Sequence, residues 1–163
     1  MKTLLILRHA KSSWDDTELK DHDRPLNPKG VRDAPRMGQL VAAEDLVPDL
    51  VLTSTAVRAM STAELSMGVI DGAPEIESTR DLYLASPHDY LEVIEAKGGK
   101  ADRLMVVGHN PGITALVTRL TGVCEEMPTA ALAVVELDID EWSEIGSAGR
   151  GRLLAFWRPK DLY

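Results

Sequence analysis

Three short stretches carry residue types that could do chemistry together. Arg8-His9 closes the apolar run Thr3-Leu4-Leu5-Ile6-Leu7, Ser54 stands four residues before Arg58, and Gly108-His109-Asn110 follows Leu104-Met105-Val106-Val107. An arginine offers a planar fork of donors that matches a tetrahedral oxyanion. A neutral imidazole offers a nucleophilic lone pair near physiological pH. Phosphate is the oxyanion this set fits best. Each piece alone is weak. A lone histidine at a strand end is more often a hydrogen-bonded structural residue, a lone arginine on a helix is usually a solvated face, and GHNPG departs from the GxGxxG pattern of dinucleotide sites. The signal lies in the order: RH after a first strand, S-x-x-x-R after a second, GH after a third.

Those stretches need elements to bring them together. Residues 3–7, 50–52 and 104–107 are continuous apolar runs, as expected of strands buried on both faces. Asn27-Pro28 predicts a cap followed by proline at the first helical position, opening a helix towards Glu44 that Pro35 must kink or restart. Residues 56–67 and 87–96 read as helices closed by glycines, and 75–77 as a short strand. Asn110-Pro111 repeats the cap-then-proline signal and opens a helix towards Leu120. Residues 131–139 and 152–157 are β-rich, with a hairpin connection expected between them around Gly146 and Gly149. The alternation predicts an α/β fold: a three-layer αβα sandwich around a mostly parallel sheet with an antiparallel C-terminal part. In such a sheet ligands bind beyond the carboxyl ends of the strands. Both histidines and both arginines would then meet at one edge, beside the helix N-terminus that begins at Asn110-Pro111-Gly112.

The chain has 163 residues, which implies one domain over 1–163 with a real core. An apolar share of 44% argues against disorder. The net charge of −8 argues against nucleic acid and against an anionic membrane surface as partners. Cys124 is the only cysteine, so no internal disulfide and no thiolate metal site is expected. The apolar start is too short to span a membrane and lacks a secretory cleavage pattern, so the expected location is the cytoplasm.

LRHAKSSW, DRPLNPKG, TSTAVRAMSTAE and VVGHNPG together resemble the histidine phosphatase superfamily, whose RHG signature takes the form Arg8-His9-Ala10. The short chain and the RPLNPKG segment are most similar to SixA-type phosphohistidine phosphatases. The resemblance implies a phosphoglycerate mutase-like fold without a large inserted cap. It implies that His9 is a nucleophile that becomes phosphorylated, that Arg8 and Arg58 bind the phosphoryl oxygens, and that His109 stabilises the transferring group. Arg24 matches an arginine bordering the pocket, and Ser12 and Asn110 complete the candidate phosphate- and substrate-binding set. No metal or other cofactor is implied, because fixed cations meet the charge.

The sequence also departs from the family pattern. Ala10 replaces a glycine and gives the backbone less freedom. The segment Thr79-Arg80-Asp81-Leu82-Tyr83 holds no clear glutamate to protonate a leaving oxygen; Asp81 is a candidate, with an ordinary loop aspartate as the plainer reading. The gap suits phosphohistidine, whose P–N bond has a better leaving group than an alkoxide. The expectation is therefore a protein phosphohistidine phosphatase, with a small-molecule phosphomonoesterase or a non-catalytic phosphate-binding module as alternatives. Its partner would be a phosphohistidine-bearing protein domain or a small phosphorylated metabolite, and the oligomeric state is left open. His22 reads as a solvated loop residue, with contact to substrate as the alternative, and Trp14 as either a groove border or a packing residue.

Overall fold

The computed structural model describes residues 1–162. Six strands, β1 (Lys2–Arg8), β2 (Leu50–Ser54), β3 (Glu75–Thr79), β4 (Arg103–Gly108), β5 (Leu132–Leu137) and β6 (Arg152–Trp157), form one sheet in the order β3-β2-β4-β1-β5-β6. β3, β2, β4 and β1 are parallel, while β5 runs antiparallel to both β1 and β6. Four helices, α1 (Pro28–Ala43), α2 (Val57–Met67), α3 (Pro87–Lys97) and α4 (Gly112–Thr121), cover the two faces.

The period of two along each strand divides the core. Leu4 and Ile6 of β1, Leu104 and Val106 of β4, and Ala133 and Val135 of β5 pack with α3 and α4. Leu5, Leu7, Met105, Val107, Leu132 and Val134 pack on the other face with α1 and α2. Strands buried on both faces explain why these stretches are apolar throughout rather than alternating. The architecture is the three-layer αβα sandwich with a mostly parallel sheet, and no large insertion interrupts it.

Several boundaries differ from expectation for local reasons. Pro35 lies inside α1, where it forfeits one backbone bond without ending the helix. Asn27 caps α1, its side chain accepting the Gly30 N–H at 2.8 Å. Gly30 itself packs on the carbonyl of Lys11, where a Cβ would collide, and this contact ties α1 to the segment behind His9. At the second Asn-Pro pair the helix begins only at Gly112; the Asn110–Pro111 peptide is cis, and Asn110 Oδ1 accepts the Thr114 N–H at 3.2 Å. The link from β5 to β6 is the expected hairpin connection, the two strands pairing antiparallel, and it is a long one. It contains a 3-10 turn, Trp142–Ser147, whose buried Trp142 donates Nε1–H to the Ala101 carbonyl at 2.6 Å.

Candidate functional site

The register aligns three strand ends. Arg8 pairs with Gly108 across β1 and β4, and Thr53 pairs with Val107 across β2 and β4. One step further, His9 donates its N–H to the Gly108 carbonyl at 3.0 Å and accepts the Ala130 N–H at 3.0 Å. The backbone at His9 is thus held on one side by the end of β4 and on the other by the segment leading into β5. A cavity of about 410 Å³ opens over this edge, and all seven candidate residues line it: Arg8, His9, Ser12, Arg24, Arg58, His109 and Asn110.

The His9 ring sits in a definite tautomer. Nδ1 is 2.7 Å from the Ala10 carbonyl, and a carbonyl only accepts, so Nδ1 carries the proton and Nε2 the lone pair. Burial pushes the His9 pKa down to about 4, with Arg58, Arg8 and Arg24 reinforcing the shift against the Ala10 bond. His109 lies beside it, ring centroids 5.1 Å apart. Its pKa falls to about 3, chiefly through burial, then through His9 and Arg58. Both rings are neutral at physiological pH.

The arginines are fixed by partners on several loops. Arg8 Nη1 donates to the Met127 carbonyl at 2.9 Å, the same carbonyl that accepts from Asn110 Nδ2 at 3.0 Å. The Asn110 amide is thus engaged at both ends, and its place in the cavity wall is as a brace. Arg58, on the first turn of α2, donates to the Asp21 carbonyl at 2.7 Å and to Asp21 Oδ2 at 3.0 Å. Arg24 donates to Asp21 Oδ1 at 2.9 Å, to the Ser13 carbonyl at 3.1 Å and to Ser12 Oγ. Two buried polar atoms at this site find no partner among the described residues: Arg8 Nε and His109 Nδ1. Three guanidinium groups thus line the cavity with the unprotonated Nε2 of His9, an arrangement whose charge and donor geometry are complementary to a tetrahedral oxyanion.

Sequence reasoning misses the carboxylate at the centre of this array. Asp21 accepts from Arg24, from Arg58 and from the Tyr83 hydroxyl at 2.6 Å. The Tyr83 bond, followed by the two arginines, holds its pKa far below the usual carboxylate range. Its i,i+3 spacing from Arg24 is the one local signal that points to it. Asp81 lies elsewhere, exposed, lining a separate cavity with Arg80 and Asp89. His22 is half-buried rather than freely solvated: its Nε2 is 2.8 Å from Thr55 Oγ1 and its ring packs edge-on with Tyr83. Trp14 borders the cavity, 72% exposed, with the Arg24 guanidinium 3.2 Å over its ring. Thr62, one turn beyond Arg58, donates to the Arg58 carbonyl at 2.7 Å and accepts the Ala10 N–H at 2.9 Å, locking α2 onto the residue after His9. Tyr90 accepts the His109 N–H at 3.1 Å, an approach open only because residue 108 is glycine.

Comparison with known proteins agrees with this geometry. Residues 4–83 match the Histidine phosphatase superfamily (branch 1). The chain is 36% identical over 165 residues to an uncharacterized protein of Mycobacterium tuberculosis, covering 94% of this chain and 100% of that protein. It superposes on the candidate phosphohistidine phosphatase SixA from Agrobacterium tumefaciens with a TM-score of 0.82 and 30% identity, covering 97% of this chain and 98% of that one. A protein histidine phosphatase SixA complexed with tungstate shares the fold at a TM-score of 0.84 and 21% identity, covering 99% of each chain. With its two histidines and its arginines meeting at one sheet edge, this chain belongs to the histidine phosphatase superfamily.

Proposed function

We propose that the protein removes the phosphoryl group from phosphohistidine on a partner protein, through a phosphorylated His9. The observation that carries the reading is the His9–Ala10 hydrogen bond, which leaves Nε2 unprotonated beside three guanidinium groups. In this mechanism the Nε2 lone pair attacks phosphorus, a new P–N bond forms, and the substrate P–N bond breaks with its electrons returning to the leaving imidazole. Water then attacks the phosphorylated His9, releasing phosphate and restoring the Nε2 lone pair. Arg8, Arg24 and Arg58 hold the phosphoryl oxygens, and His109 donates to one of them. Fixed cations meet the developing charge, so the reading needs no metal.

Two further facts support a P–N bond over an alkyl ester. Among the described residues, the one carboxylate lining the cavity, Asp21, is held ionised by three donors and is a poor proton donor. An imidazole leaving group depends less on such a donor than an alkoxide does. The SixA relatives are named for phosphohistidine chemistry. A cytoplasmic setting and a single domain over the whole chain form part of the same proposal; among the described residues no helix is long and apolar enough to cross a membrane.

The test is a side-by-side assay of a phosphohistidine protein and a panel of phosphomonoesters with metal-stripped protein. Wild type should prefer the phosphohistidine protein and yield an acid-labile, base-stable phosphoenzyme, and folded His9→Ala should yield neither turnover nor phosphoenzyme. Near-normal hydrolysis by His9→Ala overturns the nucleophile. Equal rates on alkyl phosphates overturn the substrate class.

A further inference from the structure

A second cavity, about 330 Å³, adjoins the phosphate pocket and shares His109, Asn110 and Leu84 with it. Its remaining wall includes Pro87 at the start of α3, Pro111, and Ala115 on α4. The contrast with the first cavity is chemical. The first is lined by arginines, histidines and a carboxylate; the second adds no charged side chain of its own.

Leu84 forms the ridge between the two. It is 71% exposed and its φ is +55°, a left-handed backbone that a leucine adopts at a cost. Its side chain therefore gains nothing from core burial and lies instead against both cavities. Trp14 stands on the same rim of the first cavity, 72% exposed. Large apolar side chains held out beside a polar centre are the pattern of a recognition surface, in which buried anchors supply energy around a polar contact.

We infer that the second cavity is a specificity subsite for an apolar side chain flanking the phosphorylated histidine of the substrate protein. The inference rests on the proposed function and adds the local sequence that the enzyme selects. Continuity carries it: because the two cavities share His109 and Asn110, a group in the second belongs to the same substrate whose phosphoryl group fills the first. The lining excludes a charged flank, which would lose its hydration without gaining a partner. The open rim, with Leu84 and Trp14 both exposed, suits a side chain carried on a folded surface rather than an enclosed metabolite.

The probes are short peptides phosphorylated on a single histidine with phosphoramidate, carrying Leu, Gly or Asp at each adjacent position. Phosphoramidate itself, which has no flank, reports the chemistry alone. Leu at one adjacent position should raise kcat/KM about tenfold over Asp, the scale of one buried aliphatic group in a pocket. Ala115→Phe, which fills the cavity from α4, should erase that preference and leave phosphoramidate turnover unchanged; Ala115→Leu should do so in part. The wild-type peptide series stands by itself if a variant fails to fold. Indifference to the flank in wild type overturns the inference, as does an Ala115→Phe protein that keeps the Leu preference. A cavity that improves 1-naphthyl phosphate over phenyl phosphate but ignores the peptide flank belongs to a small-molecule substrate and overturns it too. If phosphoramidate and all peptides are inert while aryl phosphates turn over, the phosphohistidine reading itself fails, and that result is distinct from a lost flank preference.

Discussion

Ser54 Oγ lies 2.8 Å from His109 Nε2 and also accepts the Ala56 N–H at 3.1 Å. With one lone pair committed to Ala56, the serine hydroxyl is free to donate its proton to Nε2. We propose that it does, so that His109 carries its own proton on Nδ1, the buried nitrogen without a partner among the described residues. In the proposed reaction that Nδ1–H is the donor His109 would offer to a phosphoryl oxygen, whereas the other tautomer would offer only a lone pair. Ser54→Ala should lower kcat about tenfold, with KM less affected, as expected for a lost orienting bond. Nitrogen NMR of the imidazole should show Nδ1–H in the wild type and a shift towards Nε2–H in the variant. A variant with unchanged tautomer and unchanged kcat removes Ser54 from this role.

Asp21 gathers Arg24, Arg58 and Tyr83, so its charge positions two of the three arginines. Asp21→Asn keeps the shape but replaces one acceptor oxygen by a donor facing a guanidinium. A fall in kcat/KM of roughly 10- to 100-fold is expected, on the scale of a lost charge-assisted bond. Asp81→Asn should stay within about twofold, because Asp81 is exposed and outside the cavity, where surface changes cost little. If the two variants exchange these outcomes, Asp81 rather than Asp21 is the carboxylate that serves the site.

The parallel strands and both histidines are legible in the sequence because their signals are local. Apolar runs of four or five residues end directly on Arg8-His9 and Gly108-His109, and burial on both faces leaves few other readings. Asp21 is not legible, because its value comes from Arg58 on α2 and Tyr83 after β3, contacts made only when three distant segments meet. His22 resembles a solvated loop residue for the same reason: its partners, Thr55 and Tyr83, are remote in sequence. The hairpin from β5 to β6 is legible in the sequence, but the 3-10 turn within it is not, since nothing local announces that the Trp142 indole will reach the Ala101 carbonyl.

Stability should fall with acid in a window set by the two buried histidines. In the unfolded chain both bind a proton below about pH 6.5. In the folded protein His9 stays neutral down to about 4 and His109 to about 3. Between these limits the unfolded state holds more protons, so stability is lost as pH falls through the window. Each unit of depression is worth about 1.4 kcal/mol, which makes His9 alone worth roughly 3 kcal/mol by its lower limit. Asp21 acts at lower pH, contributing above the ordinary carboxylate range and losing that contribution only in stronger acid. Urea midpoints should therefore drop between pH 6.5 and 4.5, and His9→Gln should flatten the drop. A wild-type curve level across that range contradicts neutral, buried histidines.

Turnover should depend steeply on the leaving group. Asp21 is the carboxylate in the cavity wall, and three donors keep it ionised. Neither histidine is protonated near pH 7, since burial and the arginines hold both pKa values at about 4 or below. The site therefore offers strong stabilisation to the phosphoryl oxygens but little proton transfer to the departing atom. General acid help contributes about 10²–10⁴-fold where an enzyme supplies it. Substrates that need it should suffer in that proportion, and those that do not should be spared. Phosphoramidate and phosphohistidine, whose nitrogen is protonated by solvent, should be fast; activated aryl phosphates should be intermediate; alkyl phosphates should be slow. A plot of log kcat/KM against leaving-group pKa for a series of aryl phosphates should slope steeply downward, and Asp21→Asn should shift the line without changing its slope. A shallow line would reveal a proton donor in the site, and a variant that steepened it would identify that donor.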